Sequence, residues 1–313
     1  VTARNPTTFI VGAGPVATAL AGALRLGGVP VLGLWARRPA PARAAGSTAG
    51  VAAFSSAPPD ILLESEVVIL AVRDQVITEV AQTLLGTGLI NKRHVLLHCA
   101  GAAPARELLG PVASRVAGVG TLHPLSAIAD GKTSMRALKG TVFGVEGDEV
   151  GRATAAKLVG AINGVVLALD SSQMAAYHAA AALASNYIVA AIDAAAAVLA
   201  GAGVPLDRAA SALVPLAEGA LRNIAAHGTT GGLTGPVRRG DLATVSRHLE
   251  AMRDRPDLAE IYRVLARRAV EIASRIDGHD APDRAGLDAI RALLGHGPPG
   301  TPGTPGAQGT QGT

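Results

Sequence analysis

The sequence predicts an α/β fold, a doubly wound and mostly parallel sheet, followed by an all-α C-terminal domain. Three observations carry this expectation. Short apolar runs alternate with helical segments as far as about residue 170. The first apolar run breaks into Gly12-Ala13-Gly14 and then into a small-residue helix. From Ser171 onward, alanine-rich helical segments dominate and strand signals stop. A length of 313 residues accommodates two domains, and a hydrophobic content of 49% supports sizeable cores. Only 2% of residues are aromatic, so Ala, Val and Leu must do the packing.

The elements follow in order. Phe9, Ile10 and Val11 form the first strand, and the first helix covers residues 15–26. Residues 29–38 read as the second strand, and residues 50–53 as a short third one. Residues 67–72 are a buried strand that ends at Arg73-Asp74, with Asp74 placed to cap the next helix. Residues 94–99 form the fifth strand. Residues 118–121 form the sixth and lead into His123-Pro124. Residues 141–145 and 165–169 are a last pair of strands flanking a helix at 148–161. Helices are then expected at 171–202, 206–227, 241–253, 256–276 and 283–294, with Gly201, Gly203 and Pro205 marking one boundary. The domains are therefore expected at 1–170 and 171–294. The tail 295–313 is nearly all Gly, Pro, Thr and Gln, a composition that cannot bury a core and predicts disorder.

Composition excludes several classes. The net charge of +4 comes from dispersed arginines with few aromatic residues between them, which argues against nucleic acid. The lone Cys99 permits no internal disulfide and fits a reducing, cytoplasmic setting, where a buried structural thiol is expected. No signal peptide is evident near the N-terminus. Residues 179–200 are long enough to span a bilayer, but alanine is weakly apolar and Ser185, Asn186 and Asp193 interrupt the run. A core helix of a soluble domain is expected there, with no membrane partner. No metal site is expected.

The turn after the first strand is built to hold a dinucleotide. Gly12 permits the tight turn, Gly14 admits a pyrophosphate, and Pro15 and Val16 open a helix whose free N–H groups face the phosphates. Preference for NAD would call for Asp or Glu about 20 residues further on. Leu34 and Trp35 stand there instead, followed by Arg37 and Arg38, whose guanidinium forks suit a 2′-phosphate. NADP(H) is therefore the expected cofactor. Two solvated surface arginines are the competing reading. Ala71, Val72 and Arg73, at the carboxyl end of the fourth strand, are expected at the same cofactor edge.

Three further groups could carry chemistry. His123 follows the sixth strand, where it can face a substrate or simply brace Pro124. On the helix expected at 171–202, His178, Ser185, Asn186 and Asp193 share an arc of about 100°, a polar stripe suited to a ligand cavity or a dimer seam. The turn-rich stretch from Leu233 to Asp241 holds Thr234 and Arg239, which could grip a substrate carboxylate, while Asp241 could cap the following helix.

Taken together, these residues carry a resemblance. They are Gly12-x-Gly14, Gly120-Thr121-Leu122-His123-Pro124-Leu125, Tyr177-His178 with Asn186-Tyr187, and Leu233-Thr234-Gly235-Pro236 through Arg239-Gly240-Asp241. The chain resembles a bacterial group of Rossmann-like NADP-binding oxidoreductases with a helical C-terminal domain of unknown function. It is more distantly similar to ketopantoate reductase, pyrroline-carboxylate reductase and the β-hydroxyacid dehydrogenases. The resemblance implies a helical domain that closes over the cofactor and forms a homodimer. One departure matters: ketopantoate reductases and β-hydroxyacid dehydrogenases use a helical-domain lysine, whereas here position 178 is His, position 182 is Ala, and no lysine follows Lys157.

The expected function is hydride transfer between NADPH and a C=O or C=N group of a small, acidic substrate in an interdomain cleft. His178 would donate the proton, His123 would assist, Asn186 would orient the substrate or nicotinamide, and Thr234 and Arg239 would anchor the acid. A non-catalytic NADP(H) sensor or dimeric interaction protein is the alternative, and hydride exchange with coenzyme F420 a third option.

Overall fold

The computed structural model describes residues 4–278 and 281–295. The chain alternates strand and helix from the start: β1 (Thr8–Val11), α1 (Pro15–Leu26), β2 (Val31–Ala36), α2 (Pro39–Ala49), β3 (Ala53–Ser55) and β4 (Val67–Leu70). It continues with α3 (Ile77–Gly86), β5 (Val95–His98), α4 (Ala105–Ala113), β6 (Gly118–Pro124), α5 (Gly131–Ala137), β7 (Val142–Gly147), α6 (Glu149–Ala161) and β8 (Val165–Ala168). The strands make one sheet of order β3-β2-β1-β4-β5-β6-β7-β8. Every neighbouring pair is parallel except β6 and β7. This is the doubly wound Rossmann-like sheet that the alternation predicts.

Strict alternation along each strand fills both faces. Ile10, Leu34, Ile69, Leu97 and Val145 meet α1, α2 and α6 on one side. Phe9, Val11, Val68, Leu70 and Leu96 meet α3 and α4 on the other. With burial on both sides the central strands read as continuous apolar runs, as parallel sheets require.

The first compact unit runs through Ser185, past the expected break at 170. The reason is packing. A short 3-10 turn at Ser171–Gln173 and α7 (Met174–Ala184) fold back on the sheet, Met174 is fully buried, and the Tyr177 ring lies against Gly144 of β7.

The second unit, from Asn186, is all helical: α8 (Asn186–Gly201), α9 (Leu206–Gly232), α10 (Gly235–Arg239), α11 (Leu242–Ala251), α12 (Pro256–Ala273) and α13 (Arg284–Leu294). Its core gathers Val245, Val270, Ala273, Leu287 and Ile290.

Several expectations are corrected here. The third strand begins at Ala53 rather than at Gly50, because Gly50 adopts the left-handed conformation that ends α2. Asp74 is not an N-cap: Arg73 holds that position, and Asp74 opens a 3-10 turn. The single helix at 171–202 is broken at Ser185, whose φ/ψ of −127°/−77° are not helical. His178 and Asn186 thus sit on different helices, and the shared polar arc does not form. The run is not a core helix either, since only 6% of its most apolar window is buried. As one piece, Ser171–Gly201 is long and apolar enough to cross a bilayer. Split into helices of 11 and 16 residues, neither part reaches the roughly 20 residues a span needs. The helix expected at 206–227 continues to Gly232, with non-helical backbone at Gly228. The expected loop at 233–241 contains α10. The tail beyond Gly295 lies outside the described residues.

Candidate active site

The turn between β1 and α1 leaves no choice of residue at its first glycine. Gly12 has φ +138°, and a Cβ there would lie 2.2 Å from the Ala71 carbonyl oxygen. Gly14, by contrast, faces open space, with nothing within 4 Å of the position a Cβ would take. It is the N-cap of α1, makes no side-chain cap bond, and is followed by Pro15 at N1. The helix therefore presents unsatisfied N–H groups and the positive end of its dipole with no acidic residue in its first turn. This is a cradle for a pyrophosphate.

That cradle opens into a cavity of about 900 Å³. Gly12, Gly14, Pro15, Val16, Arg37, Arg38, Ala71, Val72 and Arg73, the nine residues expected at the cofactor, all line it. Arg37 and Arg38 are exposed at the carboxyl end of β2, one strand away from the cradle, where the adenosine ribose of a dinucleotide would lie. The cavity's residues fit NADP(H) by shape and by charge. Trp35 is nearly buried beneath this end, with its indole N–H unpaired. Cys99 also reaches the cavity wall. Burial, with the Asp74 charge adding, pushes its thiol up to about 12, which makes it inert as a nucleophile.

A second cluster forms where β6, the loop after β5 and α7 meet. His123 lies within β6, not after it, and is half-buried. Its Nδ1 is 2.8 Å from the Tyr177 hydroxyl. The His178 ring stands edge-on to it, with centroids 5.9 Å apart. Gly101 closes the third side: a Cβ there would come within 2.8 Å of His123 Nε2 and 2.7 Å of His178 Cδ2. Burial, and then the neighbouring His178, hold the His123 imidazole down at about 4, so it is neutral at neutral pH. Burial also raises the Tyr177 phenol above its ordinary range. The arrangement can polarise a carbonyl or imine and exchange a proton with it, with His123 and Tyr177 both held neutral.

The structure thus joins His123 with His178, which sequence reasoning named, and adds Tyr177, which it noted but did not assign. His123 and Tyr177 are 54 residues apart, so no local pattern signals their contact. Asn186, Thr234 and Arg239 belong to the second unit. Asn186 is exposed at the start of α8. Thr234 is the N-cap residue of α10, and Arg239 lies 3.9 Å from Asp241. Asp241 caps α11 by accepting from the Thr244 N–H, as expected. Among the described residues no group of three His, Cys, Asp or Glu side chains is placed to hold a metal.

Residues 7–100 match the family model described as NADP oxidoreductase, coenzyme F420-dependent, and residues 141–269 match a domain of unknown function, DUF2520. The resemblance drawn from the motifs is thereby borne out. No curated protein matches the chain. Among solved structures, it is similar to protein TM1727 from Thermotoga maritima, at 24% identity and a TM-score of 0.66, over 85% of this chain and 98% of that one. A provisionally named NADP oxidoreductase from Bacteroides fragilis gives 22% identity and the same TM-score and coverage. A reductive aminase from Aspergillus terreus, solved with NADPH and ethyl-5-oxohexanoate, gives 21% identity and a TM-score of 0.58, over 92% of this chain and all of that one.

Proposed function

We propose that the chain is an NADP(H)-dependent oxidoreductase acting on a C=O or C=N group of a small substrate. The observation that carries this reading is the cavity in which the glycine cradle and the Arg37/Arg38 pair line one continuous wall. The match of residues 7–100 to an NADP oxidoreductase model supports it. So does the likeness in fold to solved reductases. The cradle would hold the pyrophosphate on backbone N–H groups, and the two guanidinium groups would pair with the 2′-phosphate. NADPH, when bound, supplies the hydride.

His178, exposed on α7 beside His123, donates the proton to the developing oxyanion or amine. His123, neutral and oriented by Tyr177, donates a hydrogen bond to the same atom rather than a full proton. Within the second unit, Thr234 and Arg239 would offer a hydroxyl and a guanidinium to an acidic group. Helices α8 and α9, with Tyr187, Val189, Leu206, Leu216 and Leu221 exposed, form the seam of a homodimer. A monomer in sedimentation at micromolar concentration would overturn that part.

Fluorescence titration with NADPH and NADH in parallel tests the core of the reading. NADPH should bind at least about tenfold more tightly, since a charge-assisted hydrogen bond contributes about 1.5–3 kcal/mol. Replacing Arg37 and Arg38 with Ala should erase that preference and leave NADH affinity unchanged. Absence of binding by either nucleotide sinks the proposal.

A further inference from the structure

We propose that Glu146 is a positioning residue for the His123–Tyr177–His178 cluster, a role that rests on the oxidoreductase reading above. Glu146 is 3% exposed, yet its carboxylate is held by neutral donors only. Its Oε2 accepts from the Ala105 N–H at 2.7 Å and the Thr121 hydroxyl at 3.3 Å, and its Oε1 accepts from the Ser171 hydroxyl at 2.6 Å. Ala105 is the first residue of α4, so the helix dipole adds to the hold. A buried carboxylate is costly unless it is hydrogen-bonded in this way. On a strand that otherwise needs only packing, it calls for a reason.

The reason lies in the row to which it belongs. Register places His98 of β5 beside Thr121 of β6, and Thr121 beside Glu146 of β7, so the three side chains cross three adjacent strands. The hydrogen bonds along the row can run in one direction only. The Ala100 N–H donates to His98 Nδ1, which must therefore carry no hydrogen. Burial keeps the His98 ring neutral, so its hydrogen sits on Nε2 and goes to the Thr121 oxygen 3.1 Å away. The Thr121 hydrogen then goes to Glu146. Glu146, which accepts in each of its three hydrogen bonds, ends the row and sets its sense.

Both ends of this row shape the cluster. At one end His98 fixes Ala100, and the next residue is Gly101, which lies against His123 Nε2 and the His178 ring. At the other end Ser171 opens the segment that carries Tyr177 and His178. One buried carboxylate thus ties down two of the three sides around His123.

Nitrogen-15 NMR of the histidine rings in the full chain tests this. The wild type should show a His98 Nε2–H protected from exchange. In Glu146→Leu that proton should exchange at least about tenfold faster, and the His123 ring signals should move. Glu146→Gln should restore the His98 proton to within about twofold, because its carbonyl oxygen can still serve Ala105 and Thr121 while its amide donates to Ser171. Ser171→Ala should move the His123 signals and leave the His98 proton protected. If Glu146→Leu does not fold, Thr121→Val cuts the row at His98 and should expose the same proton. Unchanged His98 protection and unchanged His123 signals in a folded Glu146→Leu or Thr121→Val protein overturn the proposal. NADPH titration of the same variants keeps the two readings apart. Affinity should stay within about twofold, and a wild type that binds no NADPH defeats the oxidoreductase reading without touching the NMR result.

Discussion

Three histidines of the sheet domain, His94 and His98 buried and His123 half-buried, are the residues most sensitive to a change of pH. Burial lowers His94, His98 and His123 from the ordinary value of 6.5, the last two to about 4. Each is neutral in the folded chain and titrates normally in the unfolded one. As pH falls below 6.5 the unfolded chain takes up protons first, so stability is lost between 6.5 and about 4. For His98 the loss is about 3 kcal/mol across that window. Between pH 6.5 and 5 few carboxylates titrate, so denaturant unfolding in that range should show a fall that His98→Gln reduces. A flat profile would contradict the burial. Gly101 is a second sensitive residue. Gly101→Ala should leave NADPH affinity within about twofold and lower turnover at least about tenfold, since the new methyl displaces His123 or His178 from its place. Steady-state kinetics with separate titration of NADPH checks it, and unchanged turnover would remove Gly101 from the site.

Among the elements, the β1–α1 turn separates fold from ligand within three residues. Gly12→Ala should cost at least about 2 kcal/mol and disrupt the turn, because it meets the Ala71 carbonyl at a positive φ. Gly14→Ala meets nothing, so it should melt like the wild type while NADPH binding weakens. Comparing thermal melts with titrations decides between them, and two variants alike in both would refute the division. This turn was readable in the sequence because its requirement is local: an apolar strand, a positive φ and close backbone approach leave only glycine. The strands were readable for a similar reason, as buried runs bounded by turns. The break at Ser185 was not. Neither Gly nor Pro marks it, and alanine-rich sequence on both sides reads as one helix. The His123–Tyr177 contact and the Glu146 row were hidden because each joins residues distant in sequence through strand order. Glu146 in particular reads locally as an ordinary solvent-facing carboxylate between valine and glycine.

On the scale of the whole molecule, the two units carry different information. The sheet unit announces itself through composition and period, while the helical unit is almost featureless in sequence because alanine packs against nearly anything. The motif Leu233–Asp241 was recognisable as a shaped segment, yet its helix α10 went unseen because five residues offer no periodicity. One feature of the sheet bears on how the protein behaves in the tube. Among the described residues strand β8 closes the sheet and pairs only with β7, and Val165, Val166 and Leu167 are 53%, 41% and 40% exposed. An apolar strand with a free edge is a template for another chain's strand. Concentrated or warmed samples should therefore cloud by edge-to-edge stacking before the fold itself melts. A lysine at Val166 should raise the clouding temperature seen by light scattering without altering nucleotide binding.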